Sequence, residues 1–196
     1  NSKVEVMTAE ILEQVPTGRT IQALAQLVSG VSLNVPDVGG SRAMQQTYMS
    51  TRGLTSANNI VTVDGLMVNG LDGDGAVQQY FNQAMMEEMS YQTSGAGADV
   101  SPGGVRMNIV PKEGGKRFSG TFYEFVRNEV FNANDFFGNQ LAPVGVDDEG
   151  KAKRKPFRYN NFGWTLGGPV YFLRYGERDP GDSFFKKWDR TFFFFS

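Results

Sequence analysis

The side chains equipped for chemistry in this sequence are few, and several sit among glycines. Asp72-Gly73-Asp74-Gly75 resembles the start of a calcium loop. An EF-hand pattern needs Asp or Asn at the fifth place and glycine at the sixth, where Ala76 and Val77 stand, so the expectation is an exposed loop without metal. Gly95-Ala96-Gly97 opens like a dinucleotide fingerprint, but Val100 fills the third glycine place. Gly114-Gly115-Lys116 ends like a phosphate loop, but Val110 replaces its first glycine. Lys151 to Lys155 is a basic run directly after Asp147, Asp148 and Glu149; those acids argue for a solvated loop rather than a nucleic-acid face. The 196 residues hold no histidine and no cysteine. That removes imidazole acid–base chemistry, Cys/His zinc sites, thiol nucleophiles and disulfides. No nucleophile–base pair remains, so the chain reads as a non-enzyme with no catalytic residue, no metal and no cofactor.

The whole-chain balance agrees. Nineteen Lys and Arg face 21 Asp and Glu for a net charge of −2, too little field to draw in nucleic acid. No window approaches 18 consecutive apolar residues, so a membrane role would come through β-strands. Nothing at Asn1 looks like a targeting segment, and the chain is expected to be a processed or partial product. Its 24 glycines exceed the roughly 7% of average composition, so many positions must serve tight turns or close approach.

The texture changes near Lys116. Of the 16 phenylalanines only Phe81 precedes Arg117. Residues 1–116 alternate short strands with helices. Val4 to Val6 is strand-like, and Thr8 can cap a helix from Ala9 that aligns Ile11, Leu12 and Val15 before Pro16 ends it. Thr17 or Thr20 can open a second helix, with Ile21, Leu24, Ala25, Leu27 and Val28 at helical spacing and Gly30 as its stop. A polar run around Gly39-Gly40 then precedes a short strand from Tyr48 to Arg52. Ile60–Val63, Asp64-Gly65 and Leu66–Val68 read as strand, tight turn and strand. Asn82 to Thr93 could be a helix end or a strand start. Gly103 to Val110 is a strand with Val105, Met107 and Ile109 on one face, and Gly103 and Gly104 let the backbone pass close to a neighbour.

After Lys116 the period is two. Phe162, Trp164 and Leu166 are large and apolar, while Asn161, Gly163, Thr165 and Gly167 are small or polar. Phe118 to Asn128 is strand-like, although Glu124 and Arg127 fall on opposite parities, so either strict alternation fails or a bulge intervenes. Thr191 to Phe195 begins a third strand after a connection from Val170 to Arg190.

In this order the motifs resemble the plug domain of TonB-dependent outer-membrane receptors, especially the carboxypeptidase-regulatory-like, Oar-like group. They are Arg52-Gly53 after a strand, Asp64-Gly65, Gly103-Gly104-Val105 leading to Asn108-Ile109-Val110 and Lys112, Phe125 to Asn128 with Asn134 to Phe137, Phe162-Gly163, and Gly167-Gly168-Pro169. The resemblance implies an α+β plug domain, a small mixed sheet with short helices, over residues 1–116. Residues 117–196 would be the first three strands of a transmembrane antiparallel β-barrel, which in such receptors has about 22 strands. Three strands of about 9–11 residues and their connections are all that this stretch can hold, so the chain is expected to be a fragment whose barrel is completed elsewhere.

The same resemblance assigns roles. Arg52 would be a plug latch facing barrel carboxylates, where its residue type alone suggests a surface arginine at a strand end. Asp72 and Asp74 would lie on an apical loop that touches ligand, and Phe162, Trp164 and Leu166 would face lipid. A second plug arginine common in the family is replaced by Thr93. The implied location is the outer membrane of a bacterial cell. The implied partners are membrane lipid, a periplasmic TonB-type energy-coupling protein, an extracellular ligand of unknown identity and the remainder of the barrel, with no nucleic acid. Two functions fit: gated, energised uptake, or a surface or secretion-associated receptor of the same fold without nutrient uptake.

Overall fold

A computed structural model describes residues 3–34, 47–77, 79, 81–94, 103–134, 136–173 and 184–196. The Gly39-Gly40 run, Gly95 to Val100 and the middle of the 170–190 connection lie outside the described residues. Strands β1 (Lys3–Thr8), β2 (Val31–Leu33), β3 (Met49–Thr51), β4 (Ile60–Val63), β5 (Leu66–Met67), β6 (Met86–Ser94) and β7 (Arg106–Pro111) occupy the first part of the chain. Five of them form a sheet in the order β1-β6-β7-β4-β5. It is mixed, because β4 pairs with β7 in parallel and the other neighbours are antiparallel. β2 and β3 make a separate antiparallel pair.

Alternation builds the core. Met89 and Tyr91 on β6 stand opposite Ile109 and Met107 on β7, and all four are buried. Side chains of this kind contribute roughly 1.5–3 kcal/mol each when fully buried. Helix α1 (Ala9–Gln14) adds Leu12. Thr8 occupies its N-cap without a side-chain cap bond, and Ile11 stays exposed. The Asn82–Thr93 ambiguity resolves into both alternatives. A short 3-10 turn, Gln83–Met85, is capped by the Asn82 side chain accepting from Ala84 N–H at 2.9 Å, and β6 follows directly.

The second expected α-helix is instead a five-residue 3-10 helix, Ala23–Leu27. Arg19 turns the chain with φ 60°, Thr20 Oγ1 accepts from Ala23 N–H at 3.2 Å, and Gly30 with φ 85° follows closely. Little chain remains for α-helical turns, and an i, i+3 spacing suffices to bury Ile21 with Leu24 and Ala25 with Val28. Leu27, assigned to the apolar face by helical spacing, is half exposed.

β8 (Ser119–Asn128), β9 (Arg158–Leu173) and β10 (Phe185–Phe195) form an open three-stranded sheet in the order β10-β9-β8. β9 and β10 extend well into the expected Val170–Arg190 connection, pairing Leu173 with Phe185 and shifting register between Lys187 and Phe192. Between β8 and β9 lies α2 (Phe136–Leu141), which buries no residue. Close contacts divide the chain into residues 1–120 with 165–196, and residues 121–164. No helix among the described residues is long and apolar enough to cross a membrane.

Tyr91 supplies a test of the core. Its hydroxyl donates to Ile21 O at 3.1 Å, and complete burial pushes its pKa far above the ordinary 10.0. The neutral form is the one the fold favours, so the stabilisation holds below pH 10 and is lost as pH rises beyond it. Urea midpoints of residues 1–116 in the intact protein should fall above pH 10, and Tyr91→Phe should flatten that fall. An identical pH profile in the variant would contradict the assignment.

Candidate functional site

Arg52 and Gly53 are the two central residues of a tight turn. Their φ angles are 49° and 77°, and Leu54 N–H donates to Thr51 O at 2.8 Å. A left-handed arginine costs about 1–2 kcal/mol, so the surroundings must fix this turn. The buried Thr51 does so, its hydroxyl donating to Gly30 O at 2.8 Å. The result is an exposed guanidinium on a rigid mount. Among the described residues no carboxylate lies within ion-pair distance of it.

Asp64 and Gly65, with φ of 50° and 80°, make the expected hairpin turn of the type with two positive φ angles. Asn108 fastens that turn to β7: its Oδ1 accepts from Thr62 Oγ1 at 2.7 Å and from Gly65 N–H at 3.2 Å. Gly104 passes so close to Asn58 that a β-carbon would overlap the Asn58 carbonyl, whereas Gly103 has only Leu54 Cδ1 at 3.5 Å. Lys112 lies 3.6 Å from Glu13 on α1, and its N–H donates to Met85 O at 2.7 Å.

Asp72 and Asp74 do different jobs. Asp74 Oδ2 accepts from Tyr48 Oη at 3.0 Å and its Oδ1 from Ala76 N–H at 2.8 Å. That side-chain bond is the main reason the Tyr48 hydroxyl is held above its ordinary pKa. Asp72 is exposed beside the fully exposed Leu71. Among the described residues no cluster of acids could hold a metal ion. Thr93 points into the core, and its Oγ1 has no hydrogen-bond partner among the described residues.

Sequence reasoning missed a buried amide hub. Asn59, 4% exposed, donates from Nδ2 to Met49 O at 2.6 Å and accepts at Oδ1 from Val105 N–H at 2.9 Å. Asn69 accepts from Val61 N–H at 2.8 Å and donates to Asn59 O and Gly75 O. Together they join β3, β4, β7 and the Asp72–Asp74 loop. The only sequence signal was an asparagine directly before an apolar strand.

On β9 the exposure follows the period of two. Phe162, Trp164 and Leu166 are 70%, 52% and 41% exposed, while Thr165 is 6% exposed. Gly163 leaves the room that the Tyr123 ring fills. On β8 the alternation is kept from Phe122 to Arg127: Phe122, Glu124 and Val126 are exposed, and Tyr123, Phe125 and Arg127 are half-buried. Arg127 lies over the Tyr159 ring at 5.4 Å.

A family model described as the TonB-dependent receptor plug domain matches residues 1–106, and one described as an outer membrane β-barrel domain matches residues 110–196. No curated protein matches the chain. Among solved structures it is similar to the siderophore receptor PirA of Acinetobacter baumannii, with 20% identity, TM-score 0.52, and coverage of 85% of this chain and 22% of that one. A mutant of the ferric enterobactin receptor PfeA of Pseudomonas aeruginosa, in complex with enterobactin, matches at 18% identity and TM-score 0.54, covering 87% and 23%. The outer membrane transporter YddB of Escherichia coli matches at 14% identity and TM-score 0.58, covering 85% and 24%. At these identities the likeness is one of fold, and the chain spans less than a quarter of each receptor's length.

Asn59→Ala should lower the stability of the first domain by about 2–6 kcal/mol, because two buried backbone groups lose their partners at about 1–3 kcal/mol each. Gln14→Ala removes only an exposed bond to Glu10 and should change stability by less than about 0.5 kcal/mol. Urea titrations compare the two, and equal midpoints would contradict the hub.

Proposed function

The chain belongs to the TonB-dependent receptor plug family and continues into an outer-membrane β-barrel domain, and from that premise we propose that it gates energised uptake of an extracellular ligand. It resides in the bacterial outer membrane. Residues 1–116 are the plug and residues 117–196 the first three wall strands of a longer barrel. The observation that carries the reading is the outward apolar row Phe162, Trp164 and Leu166 on an open sheet. An open sheet of this kind is stable only when its edges are paired and its apolar face is covered. In this reading lipid covers the row and later strands of the receptor close the edges.

The plug would fill the lumen until ligand outside and a periplasmic TonB-type partner act together. Arg52 would latch it. Its rigid turn presents a guanidinium, which can satisfy two carboxylates with a planar fork, and the partners would be acids on strands beyond Ser196. Inward-pointing Thr93 offers no second cation, so Arg52 would carry more of the attraction than in a two-arginine relative. The loop of Leu71 to Asp74, with an exposed carboxylate and leucine beside one tied to Tyr48, is the surface offered to ligand. The protein's work is binding and gating rather than catalysis.

Two outcomes follow in the full-length receptor. Leu166→Arg should reduce assembly in the outer membrane more than Thr165→Arg, since a cation at mid-depth on the lipid face costs about 2–4 kcal/mol; folded yield by heat-modifiable gel mobility measures it, and equal yields would count against the wall assignment. Arg52→Ala should raise ion conductance in single-channel recordings, whereas conductance equal to wild type would leave Arg52 a surface residue.

A further inference from the structure

Two sets of fastenings stand one residue apart where the plug sheet gives way to the wall. On the plug side Lys112 is tied by its N–H to Met85 O and by its ammonium to Glu13. On the wall side Gly114 runs against β10 so closely that a β-carbon would overlap the Phe193 backbone. Gly167 of β9 faces the same crossing: a β-carbon on it would lie 3.5 Å from Gly114 Cα and 3.4 Å from Phe193 O. Lys187 Nζ donates to Lys116 O at 3.0 Å. Phe118 fills the space above Gly168, where a β-carbon would meet its ring, and lies 6.0 Å from the Tyr171 ring and 6.1 Å from the Phe193 ring. Only Glu113 separates the two sets, and Gly115 faces open space.

From this arrangement we infer that the plug pivots at Glu113, between Lys112 and Gly114, and swings about a linker that stays seated on the wall. A plug that moves while both sets of fastenings hold must place the rotation in the backbone between Lys112 and Gly114, and Gly114 lacks the β-carbon that restricts φ. Hinges of this kind are a few element-terminal residues that absorb the dihedral change. Departure of the plug together with its linker would instead break the Gly114 crossing, the Lys187 bond and the Phe118 contact at once.

The inference rests on reading residues 1–116 as a plug, and its test does not depend on transport. In the full-length receptor reconstituted in lipid, with any other cysteine replaced by serine, nitroxide pairs are placed by Gly115→Cys with Lys186→Cys and by Met67→Cys with Lys186→Cys. Distances are followed through a urea titration by pulsed electron paramagnetic resonance. The 67–186 distance should broaden as the plug unfolds while the 115–186 distance stays unchanged. Adding Gly114→Val should make the 115–186 pair broaden at the same urea concentration as the 67–186 pair. Broadening of both pairs together in the protein without Gly114→Val, with the barrel still folded, would overturn the pivot alone. Retention of the 67–186 distance until the barrel itself melts would overturn both the separate plug and its pivot.

Discussion

Four of the six close approaches that leave no room for a β-carbon among the described residues are Gly75 against Ser56, Gly104 against Asn58, Gly114 against Phe193 and Gly168 against the Phe118 ring. The rest of the structure depends on them. The Gly104 approach brings β7 alongside the segment before β4, where Asn59 bonds both Met49 O and Val105 N–H. The Gly75 approach seats the Asp72–Asp74 loop on that same amide hub through Asn69. The other two hold the linker and the start of the wall together. A side chain at Gly75, Gly104 or Gly114 forces backbone to move, and one at Gly168 displaces the Phe118 ring, because interiors are close-packed and neighbours have little space to give.

The parts legible in sequence were those whose signal is local. Asp64-Gly65 fixed a turn through φ alone, and alternation fixed β7 and β9. An ordered series of weak motifs supplied the fold class, an α+β plug followed by barrel strands, because that order reflects which strands must meet. The glycine excess announced close approaches, and the doubled glycine at 103–104 pointed to one of them.

What stayed hidden depended on partners distant in sequence. Helical spacing at Ile21–Val28 is compatible with 3-10 geometry when a left-handed residue and a glycine bound the segment closely, and spacing alone does not distinguish the two. The Asn59–Asn69 hub has no pattern, since asparagines earn burial only from carbonyls and amides supplied by other elements. The stretch from Val170 to Arg190 reads in sequence as a connection, yet cross-strand pairing carries β9 and β10 through part of it. Asp72 and Asp74 look equivalent in sequence; Tyr48, 26 residues away from Asp74, makes them different.

The account's central claim is that β9 is a wall strand with lipid on one side. Oxygen collision rates of nitroxides at Asn161, Phe162, Trp164, Thr165 and Leu166, each introduced singly as cysteine in the reconstituted receptor, test it most directly. The account predicts high oxygen accessibility at 162, 164 and 166 and low values at 161 and 165, since oxygen concentrates in the acyl region. Accessibility without a period of two, or with the period reversed, would contradict it.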